Sequence, residues 1–205
     1  MLNFGGDVFE QMTFNFKKIV KFMIKNTFPA VLLVLSTFVA ISQCKVPVEP
    51  EREELGMVEN NAISEASGIA ASAKNSSLIW VHNDGGNPPD IFAMDSEGGH
   101  VATFRLDGVR NRDWEDMGLG PGPAEGQSYL YIGDIGDNNG VYEQIYVHRI
   151  PEPSVQTGNA PYQRTFTDFE TITLQYPDGP RDSETLMVDP RTKDLIIISK
   201  RENNV

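Results

Sequence analysis

Glu65-Ala66-Ser67-Gly68-Ile69 leads through a polar turn into Leu78-Ile79-Trp80-Val81 and ends on His82-Asn83-Asp84. The same order of chemistry returns further along. Glu115-Asp116-Met117-Gly118-Leu119 leads to Tyr129-Leu130-Tyr131-Ile132 and ends on Gly133-Asp134. A fainter third copy begins at Glu184, passes Leu186 and Val188, and reaches Leu195-Ile196-Ile197-Ile198. Self-similarity at a spacing of roughly fifty residues marks a repeat architecture, in which one supersecondary unit packs against copies of itself. In each copy an acid precedes a short apolar segment, a turn and a β-prone segment. The acids therefore recur at corresponding places.

The residues between the copies also point to strands. Ile91-Phe92-Ala93-Met94 and Val101-Ala102-Thr103-Phe104-Arg105-Leu106 flank Asp95-Ser96-Glu97-Gly98-Gly99, a hairpin turn by its Asp and Gly content. Ile145 to Ile150 forms another strand, stopped by Pro151, and Thr171 to Tyr176 alternates cleanly until Pro177. Val188 and Leu195 bracket a tight turn. No 3.6-residue stripe appears after Asn61. About ten short strands at near-regular spacing predict an all-β fold. A sandwich has no need to repeat one phrase, whereas a propeller blade does. The expectation is a partial β-propeller of about two and a half four-stranded blades over residues 61–205. Rings typically have about four to eight blades, so the chain is expected to be an N-terminal fragment of a longer protein.

The N-terminus has a different character. Lys17, Lys18, Lys21 and Lys25 precede an uncharged run from Asn26 to Cys44 with its apolar heart at Phe28 to Ile41. This is shorter than the roughly 20 apolar residues of a spanning helix. Its layout is that of a secretory signal segment. Residues 1–44 are thus expected to form a signal or anchor helix, and residues 45–60, rich in Pro and acid, a tether. The ending Ala40-Ile41-Ser42-Gln43-Cys44 resembles a bacterial lipoprotein signal, although Gln43 stands where a small residue is usual. The resemblance implies lipidation at Cys44, attachment to a membrane, and a place in the cell envelope or outside the cell. An ordinary signal peptide, or an N-terminal membrane anchor, with an incidental cysteine is the alternative.

The chain has 205 residues and a formal charge of -12. A polyanion binder needs a basic face, so nucleic acid is excluded as a partner. Cys44 is the only cysteine, which excludes an intramolecular disulfide and a cysteine-based metal cluster.

The segments Glu65-Ala66-Ser67-Gly68, Trp80-Val81-His82-Asn83-Asp84, Arg112-Asp113-Trp114-Glu115-Asp116 and Tyr131 to Asn138 resemble those of secreted bacterial six-bladed β-propellers. More loosely they are similar to calcium-dependent propellers of the gluconolactonase and diisopropylfluorophosphatase type, and to phytase-like and SdiA-regulated propellers. The resemblance covers about residues 61–205. It implies a central channel with calcium held by Glu, Asn and Asp. It also implies either binding of a ligand or partner, or calcium-dependent hydrolysis of esters, lactones or phosphoesters.

By repeat position, the candidate metal ligands are Glu65, Asp84, Glu115, Asp134 and Glu184, with Asn83 as a further ligand-binding candidate. Hard cations take such oxygens. The same residues equally serve as turn formers and caps. Asp137 and Asn138, in Asp134 to Gly140, offer further oxygens, but the loop lacks the distant Glu of an EF-hand and is expected to be a surface turn. His82, beside two polar residues, is a candidate general base or a histidine bonded to turn backbone. His148 is expected to face solvent, and His100 to sit on a hairpin surface. Arg110, Arg112, Lys200 and Arg201 are candidate contacts for anionic groups or simply solvated charges. Trp80, Trp114 and Tyr131 are expected in the core. Gly118 to Gly122 lacks the Lys and helix of a phosphate loop.

Overall fold

A computed structural model describes residues 53–200. The expected signal helix, Cys44 and the tether up to residue 52 lie outside the described residues. The described part is all-β, with eleven strands in three sheets, and it has no α-helix, only a single 3-10 turn at Thr157–Asn159. No described helix is long and apolar enough to cross a membrane.

The first sheet begins with β1 (Ala66–Ala71), β2 (Leu78–Asn83), β3 (Asp90–Asp95) and β4 (His100–Leu106), an antiparallel meander. The second contains β5 (Trp114–Pro121), β6 (Ser128–Asp134) and β7 (Ile145–Pro151). After β7 the chain returns to the first sheet, where β8 (Tyr162–Phe166) runs parallel to β4. It then completes the second sheet with β9 (Glu170–Leu174), antiparallel to β7. The third sheet is the hairpin of β10 (Ser183–Val188) and β11 (Leu195–Ser199).

The first sheet therefore has five strands, one more than the repeat predicts. Aromatic packing accounts for the addition. Phe104 on β4 meets Tyr162 and Phe166 of β8 edge-on, at 6.1 and 6.2 Å between ring centres. Such pairs contribute beyond the area they bury.

The turns form where Asp and Gly chemistry demands them. Asp95 Oδ1 accepts from the backbone N–H groups of Glu97 and Gly99, closing the β3–β4 hairpin. Asp189 Oδ1 does the same for Arg191 and Thr192 between β10 and β11. These are Asx turns, local substitutes for a backbone turn.

The core lies between the sheets. Trp80, Trp114, Phe104, Leu130, Ile132 and Ile150 are all buried in one cluster. Tyr131, Ile145, Val147 and Leu186 form a second, beneath the third sheet. The three tryptophan and tyrosine positions expected in the core are there. His148 is not at the surface. It is buried, because β7 is covered on this face by Trp114 and Phe169, whose rings lie 5.9 and 6.2 Å from the imidazole.

The relation that positions the site is among β1, β5 and β10. Each is the first strand of its sheet, and β5 packs against both of the others. Gly118 and Gly120 allow this. A Cβ on Gly120 would lie 2.5 Å from Val188 of β10. Asp116 Oδ2 also accepts from the Leu186 N–H at 2.8 Å, tying β10 to β5.

Candidate metal centre

The three first strands share an irregularity near their starts. Ala66 pairs with Asn83, Trp114 with Asp134, and Ser183 with Ser199. Immediately afterwards each ladder shifts register, between Ala66 and Ile69, Trp114 and Asp116, and Ser183 and Thr185. A β-bulge of this kind re-aims the side chain it carries. In β5 and β10 the extra residue is Glu115 and Glu184.

A second relation recurs. The backbone N–H groups of Asp84, Gly136 and Lys200 donate to the carbonyls of Glu65, Asp113 and Asp182. Glu65, Asp113 and Asp182 are thus structural equivalents, each placed just before its first strand.

These arrangements gather five carboxylates. One oxygen each from Asp84, Asp113 and Glu115 lies within 4.8 Å of the others, and the same holds for Glu115, Asp182 and Glu184. Glu115 belongs to both groups and is buried. Gly136 leaves the room. A Cβ there would stand 2.3 Å from Glu115 Oε1 and 2.6 Å from Asp113 Oδ2. Lys200 reaches in from the end of β11, bonding Glu184 Oε1 and lying 3.6 Å from Asp182 Oδ2.

The electrostatics follow from the crowding. Burial, and then the charges of Glu184, Asp84 and Asp113, push the Glu115 carboxyl up to about 8. Burial, followed by Asp84 and Asp182, raises Asp113 as well. For Glu115 and Asp113 the neighbouring charges disfavour the ionised form, and a proton or a cation would offset them. The donors are all oxygens, which suits a hard divalent cation such as calcium.

Of the residues nominated from sequence, Asp84, Glu115 and Glu184 come together here. Glu65 is exposed and its Oε2 accepts from Asn87 Nδ2 at 2.8 Å. Asn83 is a buried clamp: its Oδ1 accepts from Glu65 N–H and its Nδ2 donates to the Ala62 carbonyl. Asp134, the last residue of β6, belongs to neither acidic group: it accepts from the Asp113 N–H at 2.9 Å and lies 3.6 Å from Arg112 Nε. Asp137 is buried, not at a turn surface. Its N–H donates to Asp182 Oδ1 and its Oδ2 accepts from the Tyr142 N–H. Asn138 is exposed.

His82 is fully buried beneath the centre. Its Nδ1 meets the Asn83 carbonyl at 2.9 Å and its ring stands edge-on to Trp114 at 5.3 Å. Burial lowers its pKa, against the opposing pull of the Asn83 and Asp116 backbone.

Asp113 and Asp182 were not singled out by the repeat as aligned from Glu65. The signal that marks them is the Asp-x-Glu spacing shared by Asp113-Trp114-Glu115 and Asp182-Ser183-Glu184.

No protein-family model, no curated protein and no solved structure matches the chain.

Proposed function

We propose that the three sheets are successive blades of a β-propeller and that the acidic centre where their first strands meet holds a divalent cation, calcium by its donor set. On this reading the protein is exported and lipid-anchored through Cys44, and its ectodomain binds a ligand or partner with the cation's help. The observation that carries the reading is the convergence of Asp84, just past the end of β2, with Asp113, Glu115, Asp182 and Glu184 at the bulged starts of β5 and β10. The blade reading draws on three recurrences: the order of first strands, the bulge, and the backbone hydrogen bond just before it.

The residues fit such an ion without further chemistry. Asp84, Asp113 and Glu115 would hold it on the side away from Lys200. A bound cation would relieve their mutual repulsion and offer open coordination positions to a ligand's oxygen atoms.

The test is thermal unfolding of the full chain as calcium is added. An ion that binds only the folded state must raise the melting temperature with its concentration. No rise at millimolar calcium removes the proposed centre. Fractionation tests the anchor separately: a Cys44→Ser chain that stays with the membrane rules out lipidation at that residue.

A further inference from the structure

A cleft of about 400 Å³ opens between the β4–β5 connection and residues of β6, β7 and β9. Its chemistry contradicts that of the molecule. The chain carries a formal charge of -12, yet the cleft is lined by Arg110 and Arg112 against one carboxylate, Asp134.

Arg112 is held in place. Its Nη1 donates to the Gln144 carbonyl at 3.1 Å, its Nε lies 3.6 Å from Asp134 Oδ1, and its guanidinium lies over the ring of Tyr142 at 4.0 Å and that of Tyr146 at 5.2 Å. Asp134 is buried and already committed to Arg112 and the Asp113 N–H. Arg110 differs. It is exposed and has no side-chain partner among the described residues. A guanidinium at the mouth of a cleft, beside a second that is rigidly placed, is the group best suited to a planar anion.

The remaining walls are neutral. Val109, Tyr146 and His148 line them. Burial pushes the His148 imidazole down to about 4, so it adds no charge near neutral pH. Arg112 is engaged by Asp134 and the Gln144 carbonyl, which leaves Arg110 as the cation free to meet a ligand and suits a monoanion better than a dianion.

We infer that this cleft is a binding site for a small organic monocarboxylate, with Arg110 engaging the carboxylate and Tyr146 and Val109 flanking the carbon body. Arg112 shapes the site and supplies background charge; its own donors are largely used within the protein. The cleft adjoins the acidic centre, since Asp134 accepts from the Asp113 N–H, but none of its lining residues belongs to the carboxylate groups that would hold the ion.

The test uses the full chain in the presence of a metal chelator, with benzoate as the probe. Benzamide, its neutral counterpart, and inorganic phosphate are the comparison arms. Ligand-observed NMR is expected to detect benzoate binding and to find benzamide much weaker. Arg110→Gln, a change at an exposed side chain that leaves the fold intact, is expected to weaken benzoate by about tenfold, the usual scale of one charge-assisted contact. No benzoate binding at millimolar concentration overturns the inference. So does binding that Arg110→Gln leaves unchanged, or equal binding of benzamide. Phosphate binding more tightly than benzoate overturns the choice of a monocarboxylate.

Discussion

The indole Nε1 of Trp80 donates to Glu152 Oε1 at 2.9 Å, across 72 residues of chain. Glu152 lies just past the end of β7 in the second sheet, while Trp80 is on β2 in the first. The same oxygen accepts from Ser72 Oγ at 2.5 Å and the Ala73 N–H at 3.1 Å, and the other accepts from Ser128 Oγ. One carboxylate thereby satisfies the β1–β2 turn, a core tryptophan and the start of β6. Buried polar groups without such partners are costly, so this carboxylate fixes how the two sheets meet.

Glu152→Ala is expected to destabilise the protein by about 2–3 kcal/mol, because it strands the buried Trp80 Nε1 and three part-buried donors. Glu152→Gln keeps an acceptor for Trp80 and should lose less. The acid also has a pH signature. Burial alone would raise its pKa, but the hydrogen bonds from Ser128, Ser72 and Trp80 outweigh burial and hold it below the usual range. A depressed folded pKa gives stability that is present above the unfolded value and lost as pH falls through the folded one. Urea unfolding midpoints should therefore drop in acid for the wild type, with Glu152→Gln losing that part of the dependence. Equal acid sensitivity in both would remove Glu152 from the account.

The strands were legible in the sequence because β propensity and Asx turns are local properties. Asp95 and Asp189 announce their hairpins, and Trp80, Trp114 and Tyr131 announce the core. What the sequence does not display is the outcome of tertiary pairing. The repeat aligns Glu65 with Glu115 and Glu184, but strand register aligns it with Asp113 and Asp182, because a bulge is invisible until two strands are paired. For that reason the repeat picks out Asp84, Glu115 and Glu184 and passes over Asp113 and Asp182. His148 misleads for a related reason. Alternation along β7 says only that it faces opposite to Arg149, and the cover over that face comes from Trp114 and Phe169, distant in sequence. Glu152 follows a strand-ending Pro and looks like an ordinary loop acid. The added strand β8 is likewise a long-range choice, made by Phe104.

Gly68 and His82 form a second pair open to test. A Cβ at Gly68 would lie 2.2 Å from His82 Nε2, and the imidazole has Trp114 beside it. Gly68→Ala is expected to cost about 1–3 kcal/mol, the usual penalty for overpacking. Neighbours that clash are non-additive. The double change Gly68→Ala with His82→Ala should therefore lose less than the sum of the single losses. Strict additivity in chemical unfolding would mean that the two side chains do not compete for the space.

Glu115 provides the opposite pH behaviour to Glu152. Its folded pKa is raised to about 8, so the folded chain binds a proton that the unfolded chain has released between about pH 4.5 and 8. Its contribution to stability falls as pH rises across that window and is flat above it. Glu115→Gln removes the charge. Without calcium it should raise the melting temperature at pH 8 and above and flatten the profile below. With calcium the order should reverse, because the variant loses a ligand. A variant less stable than wild type at pH 9 in chelator would contradict the crowding on which the centre rests.

Gly136 separates the fold from the site most cleanly. The atoms that a Cβ there would meet, Glu115 Oε1 at 2.3 Å and Asp113 Oδ2 at 2.6 Å, are the ends of side chains that can swing away. Gly136→Ala should therefore change stability in chelator by about 1 kcal/mol or less, well under the penalty of a rigid backbone clash. The swing moves two of the three carboxylates that would face the ion, so the calcium-dependent rise in melting temperature should shrink sharply. An affinity loss of about tenfold or more is expected, since ion sites depend on oxygen number and position. A Gly136→Ala chain that keeps the full calcium response would show that the ion, if bound, rests on other oxygens than those of Asp113 and Glu115.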